Sequence, residues 1–227
     1  MLAALAALAL LVPHHGHVDD PCLDRSRDRS VTMRAGDGAS VHGVETGKGA
    51  VGVVLAHQYG SDHCEFMAFA HELAGRGYRA VAIDMRGFGA SRGGVSYRLD
   101  RDLLAAATRL RADGATKVVL IGASMSGTAA IVAAAEAKPS VAGVVSLSGP
   151  AEFGGLDAAR AVTRLRVPVR FLAAASDPPS APDARRLERL APSRDKAVAV
   201  YAGALHGSSL LGLPRAKALV LGFLRRL

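Results

Sequence analysis

From about residue 30 onward, short apolar runs alternate with longer stretches in which apolar residues recur every three or four positions. Buried strands separated by amphipathic helices give this pattern, so the chain is predicted to form an α/β domain on a largely parallel sheet. VTMRA (31–35) and SVHGVE (40–45), parted by Gly36 and Gly38, predict an antiparallel hairpin, and AVGVVLAH (50–57) predicts a buried strand. Phe66, Met67, Ala70 and Leu73 then share one helical face, Gly75 and Gly77 stop that helix, and YRAVAID (78–84) is the next strand.

Asp100 is expected to cap a helix carrying Leu103, Leu104, Ala107 and Leu110 and ending near Gly114. The strand KVVLIG (117–122) and an alanine-rich helix (126–137) follow, then a strand at 141–149 and a short helix at 156–164. The strand VPVRFLAAAS (167–176), a helix at 183–191 and the strand AVAVYAG (197–203) precede a last helix opened by Pro214, with Leu219, Val220, Phe223 and Leu227 as its apolar stripe. About eight strands result, with no repeat and no internal linker, giving one domain over 31–227 behind a leader and linker at 1–30.

The first twelve residues, MLAALAALALLV, are apolar throughout. They fall short of the roughly 20 residues of a spanning helix and fit the apolar region of an export signal, although no basic residue precedes them and no clean cleavage site follows. Export is therefore the expectation, with no stable membrane span. His14, His15 and His17 lack a carboxylate or cysteine at ligand spacing, so this stretch is read as a polar linker and no metal is expected. Cys22 and Cys64 can pair and pin the N-terminal arm in an oxidising compartment; in a reducing one they are two separate thiols.

The net charge of +8 comes largely from arginines scattered through alanine-rich segments. A nucleic-acid surface would need a basic face interleaved with stacking aromatics, and only 4% of the residues are aromatic, with no Trp. That class of partner is excluded from the reading.

In an open parallel sheet, ligands bind beyond the carboxyl ends of the strands, so chemistry should follow strands directly. The strand 117–122 runs into GASMSG, which places Ser124 on a sharp strand-to-helix turn with small residues two before it (Gly122) and two after it (Ser126). Ser126 has the poorer flanks and would already lie within the helix. A serine needs a base oriented by a third group. Of eight histidines only His206 follows residue 124, in the loop after the last strand. Among the later acids, Asp177 alone directly follows a buried apolar strand, in SDPPSAPD; Asp183 is the fallback and an expected helix cap. Oxyanion donors are expected from the backbone N–H of Met125 and from the loop after 50–57, at Tyr59 with Gln58 as the alternative. His57 is read as bracing that loop, and Asp84 and Arg86 as turn scaffolding. Gly87 and Gly89 imitate a dinucleotide loop, but Arg92 stands at the third glycine position and the segment follows the wrong strand.

Taken in order, LAHQYGSD, AIDMRGFGAS, IGASMSG, AAASDPP and GALHG resemble the oxyanion loop, the turn after strand four, the nucleophile elbow, the acid loop and the histidine loop of the α/β-hydrolase family. The resemblance runs from about residue 31 to the C-terminus and looks closest to lid-less, dienelactone-hydrolase-like members, although those use cysteine where this chain has serine. It implies the α/β-hydrolase fold, a mostly parallel eight-stranded sheet flanked by helices without a large cap, and a triad of Ser124, Asp177 and His206. The function expected of such a triad is hydrolysis of a small-molecule ester or thioester through an acyl-enzyme on Ser124, with no cofactor. The alternatives are an acyltransferase with the same triad and a non-catalytic hydrolase-fold binding protein. Two positions depart from the family pattern. Ser126 replaces the usual glycine after the elbow and adds a β-carbon where packing is tight, and Gln58 replaces the glycine of the usual HG.

Overall fold

The computed structural model describes residues 20–93 and 97–227, so the apolar leader and His14, His15 and His17 lie outside the described residues. Eight strands form the main sheet: β1 (Asp28–Arg34), β2 (Ser40–Thr46), β3 (Val51–Ala56), β4 (Arg79–Ile83), β5 (Lys117–Ala123), β6 (Gly143–Leu147), β9 (Val169–Ala174) and β10 (Lys196–Tyr201). Their spatial order is β1-β2-β4-β3-β5-β6-β9-β10. The strands are parallel except that β2 runs antiparallel to both of its neighbours, β1 and β4.

β3, β5 and β6 are apolar almost throughout because helices cover both faces of the sheet. One face packs α2 (Leu99–Ala112), α3 (Met125–Glu136), α4 (Ala158–Val162) and α5 (Ser180–Leu190); the other packs α1 (Cys64–Gly75) and α6 (Pro214–Arg226). The helix after β3 therefore crosses one face, and the helix after the adjacent β5 crosses the other. The two loops diverge and leave a crevice at the carboxyl end of the sheet.

Local differences from the sequence reading have simple causes. β1 starts at Asp28, three residues into the segment assigned to the linker, because its first residues are polar and lie on an exposed sheet edge where no apolar signal is required. Asp100 does not cap α2. The cap position is Arg98, and Asp100 is a fully buried first-turn residue paired with the Arg98 guanidinium at 2.7 Å. Likewise Asp183 lies within the first turn of α5, where its carboxylate accepts the Ala151 N–H at 2.9 Å. Residues 148–168 hold a hairpin of β7 (Glu152–Phe153) and β8 (Leu156–Asp157) before the short α4, and no large cap stands over the sheet.

The N-terminal arm is fastened to α1 and the residue before it. Cys22 and Cys64 form a disulfide, Asp20 pairs with His63 at 3.0 Å, and Asp28 pairs with His71 at 3.0 Å. No helix among the described residues is long and apolar enough to cross a membrane.

Candidate active site

Ser124 stands between the last residue of β5 and the first of α3 with φ 50° and ψ −117°, a left-handed strain that a serine rarely adopts without being forced. The surrounding packing enforces it. A β-carbon on Gly122 would lie 2.0 Å from the Ser126 carbonyl oxygen, so only glycine lets helix and strand come this close. The Ser124 N–H donates to the Leu147 carbonyl at 2.8 Å, which ties the turn to β6. Gly127 meets Ser146 and Gly149 with no room for a side chain, and the alanines of α3 let the helix settle close on the sheet.

Asp177 and His206 are brought together from the loops after the neighbouring strands β9 and β10. His206 Nδ1 lies 2.9 and 2.8 Å from the two carboxylate oxygens. Backbone bonds from Ala175 N–H to Tyr201 and from Ser176 N–H to Gly203 stitch the two loops, so the pair is positioned by the sheet rather than by its own contact. Asp177 is largely shielded while the imidazole stays 42% exposed. Gly207, in the left-handed region at φ 58°, sits where a β-carbon would press on the Gln58 side chain and lie 3.4 Å from Ala123 Cβ. The histidine loop thus reaches the residue beside Ser124. Among the described residues, no hydrogen bond links Ser124 Oγ to His206.

The loop after β3 is braced on three sides. His57 is fully buried; its Nε2 accepts the Met85 N–H at 2.9 Å and its Nδ1–H donates to the Gln58 carbonyl at 2.6 Å, which fixes the tautomer. Burial pushes its pKa below the usual histidine value, consistent with a neutral ring. Ser126, also fully buried, donates its hydroxyl to the His57 carbonyl at 2.6 Å. The β-carbon that Ser126 adds beside the elbow is accommodated, and its hydroxyl is employed, a role no local signal in the sequence reveals. Gln58 N–H points at Glu65 Oε2 at 3.4 Å. Ser61 N–H returns to the Gln58 carbonyl, so Tyr59 occupies the second position of a turn whose third is Gly60 at φ 79°. Met125 opens α3, where the first N–H groups have no intrahelical acceptor.

Asp84, fully buried after β4, accepts four hydrogen bonds: from His42 Nδ1, His63 Nδ1, and the His63 and Ala90 N–H groups. Burial alone would raise its pKa, but these donors outweigh it and hold the carboxylate ionised far below the usual range. Arg86 is likewise held by Asp102 and Asp37 at 2.7 and 2.6 Å. Two sets of metal-capable side chains gather here, His42, His63 and Asp84, and Asp20, Cys22, His63 and Cys64. In the first, both histidine nitrogens that face the carboxylate are engaged with it; in the second, the sulfurs are joined to each other. The bonds of Asp84 and Arg86 tie the turn after β4 to its neighbours, the scaffolding read for these two residues from the sequence.

A cleft of about 780 Å³ opens from the elbow at Met125 and Tyr59 and runs between Phe88 and Phe153. Neither Ser124 nor His206 lines it, but Met125, the residue after Ser124, does.

Comparison with known proteins agrees with this architecture. The profile of the alpha/beta hydrolase fold family matches residues 52–207. Among solved structures, esterase Pf2001 of Pyrococcus furiosus superposes with a TM-score of 0.74 at 19% identity over 88% of this chain and 90% of its own. Esterase RhEst1 from Rhodococcus sp. ECU1013 gives 0.73 at 19% identity over 86% and 98%. The dienelactone hydrolase of Anabaena variabilis gives 0.68 at 21% identity over 87% and 94%. No curated protein sequence matches the chain. With the profile spanning most of the sequence and the sheet order and helix placement in accord, the chain belongs to the α/β-hydrolase family.

Proposed function

We propose that the protein is a serine hydrolase that cleaves carboxylic esters or thioesters of small or exposed acyl groups through an acyl-enzyme on Ser124. The observation that carries this reading is the Asp177–His206 pair, held over the crevice by a loop whose Gly207 abuts the residue beside the strained Ser124. Ser124 Oγ attacks the carbonyl carbon while His206 Nε2 takes its proton, and Asp177 holds the Nδ1–H and stabilises the imidazolium that forms. The N–H groups of Met125 and Tyr59 stabilise the oxyanion. Tyr59 is favoured over Gln58 because the Gln58 N–H is directed at Glu65. Collapse of the tetrahedral intermediate breaks the bond to the leaving oxygen or sulfur, which takes the proton from His206. Water then repeats the sequence and releases the acid. The Ser124–His206 hydrogen bond is formed with substrate, as such contacts commonly tighten in the complex.

The disulfide suits an oxidising, extracytoplasmic compartment, in line with export read from the leader. A fluorophosphonate probe tests the assignment: wild type should label rapidly, Ser124→Ala not at all and His206→Ala slowly. Equal labelling of wild type and Ser124→Ala would overturn it.

A further inference from the structure

The chain has ten aromatic residues, six Phe and four Tyr, and no Trp. Phe66, Phe69, Phe171 and Phe223 are buried in the core, and Tyr78 and Tyr201 pack against it. The remaining four, Tyr59, Phe88, Tyr97 and Phe153, all line the cleft beside the elbow. Tyr59 and Tyr97 are left 66% and 64% exposed, the most exposed large apolar side chains among the described residues. Burial drives such rings inward, so two rings kept open at one cleft point to a ligand that covers them.

The rings are arranged to receive another. Tyr59 meets Phe88 edge-on with centroids 5.3 Å apart and lies tilted to Phe153 at 6.4 Å. Tyr97 lies against Gly154, where a β-carbon would stand 3.1 Å from the ring, so the left-handed glycine of the β7–β8 hairpin makes room for it. The rings come from three separate segments: Tyr59 from the loop after β3, Phe88 and Tyr97 from opposite ends of the connection between β4 and α2, and Phe153 from the β7–β8 hairpin. Arg92 completes the wall with its guanidinium fixed by the Gly89 and Ser91 carbonyls. A planar arginine on a wall of rings offers a further stacking surface for an aromatic group.

We infer that the substrate carries a planar aromatic group of one or two rings close to the scissile ester, bound in this cleft by ring-to-ring contacts. This rests on the serine-hydrolase reading for its chemistry, whereas the cleft and its rings do not depend on it. The volume of about 780 Å³ is ample for such a group and falls within the usual range for small-molecule sites.

Matched esters test the inference without changing intrinsic reactivity. Ethyl 3-phenylpropanoate against ethyl 3-cyclohexylpropanoate reads the acyl side, and 3-phenylpropyl acetate against 3-cyclohexylpropyl acetate reads the alcohol side. Cyclohexyl is the more hydrophobic group, so a merely greasy cleft would favour it. Ring contacts should instead favour phenyl by about 2- to 10-fold in kcat/KM on at least one side. Tyr97→Ala and Phe153→Ala should each pull that ratio toward one. Calorimetric titration with 3-phenylpropanol and 3-cyclohexylpropanol reads the same preference in the absence of turnover. A protein unlabelled by fluorophosphonate that still prefers the phenyl ligand would sink the triad and keep the cleft. An active enzyme, or a binding isotherm, that shows no phenyl preference, or a ratio unmoved by the two substitutions, would overturn the inference.

Discussion

Replacing Ser126 by Ala removes one hydroxyl and nothing else. In the native protein that hydroxyl is fully buried and donates at 2.6 Å to the His57 carbonyl, at the root of the loop carrying Tyr59. The substitution leaves a buried carbonyl without its donor, which costs about 1–3 kcal/mol. For a chain of this size each kcal/mol corresponds to roughly 2–4 °C, so Tm should fall by roughly 2–12 °C. Ser126→Gly adds a further ~0.5–1 kcal/mol of helix destabilisation. The catalytic consequence follows from the oxyanion role proposed for that loop. Complete loss of one oxyanion donor lowers kcat by about 100- to 1,000-fold, and loosening its support should cost a fraction of that, about tenfold in kcat with little change in KM. Thermal unfolding and the kinetics of a short-chain nitrophenyl ester read the two effects separately, and Ser126→Thr, which keeps the donor, should recover part of kcat. The reasoning fails if Ser126→Ala unfolds within a degree of wild type with unchanged kcat. It fails equally if Ser126→Gly, which installs the family's usual glycine, makes a faster enzyme.

Two further outcomes follow from the N-terminal arm. The Cys22–Cys64 bridge closes a sequence separation of 42 residues, and the chain-entropy argument gives it about 4 kcal/mol; reduction, or Cys22→Ser with Cys64→Ser, should lower the urea midpoint, and an unchanged midpoint would show that the arm adds nothing to the body. Burial would lower the pKa of His63, but the carboxylates of Asp84 and Asp20 outweigh it and raise the pKa above 6.5. Because the folded value is the higher one, the stabilisation from protonated His63 is fully present below about pH 6.5 and is lost as pH rises through the folded value. The stability difference between wild type and His63→Gln, measured by urea unfolding, should therefore shrink from acidic to alkaline pH, and a pH-independent difference would refute the charged pair.

Much of the architecture was legible along the chain because buried strands and amphipathic helices impose periods of 2 and 3.6 on their own residues. The elbow was legible for the same reason. Gly122 two before Ser124 is a local requirement of a helix turning sharply out of a strand, and it appears within a few residues of sequence. Where the expectation missed, a local rule yielded to a tertiary one: Asp100 was drawn into a buried ion pair with Arg98 instead of capping, and Asp183 was drawn to the Ala151 N–H across from the β6–β7 loop. The exposed start of β1 and the two-residue strands β7 and β8 left no periodic trace because they bury too little to need one.

What the sequence by itself determined is the order of elements, the sharp turn at Ser124 and the short set of residues able to serve it. What only the tertiary structure decided are distances between parts remote in the chain. Asp177 meets His206 across 29 residues, Ser126 holds His57 across 69, and Cys22 meets Cys64 across 42. Four rings from three segments of the chain also meet at one cleft. Local pattern reports the backbone each residue must adopt, but the sheet order β4-β3-β5-β6-β9-β10 sets which loops become neighbours. That order follows from packing helices on both faces of the sheet, a condition that belongs to the whole chain and to no single segment of it.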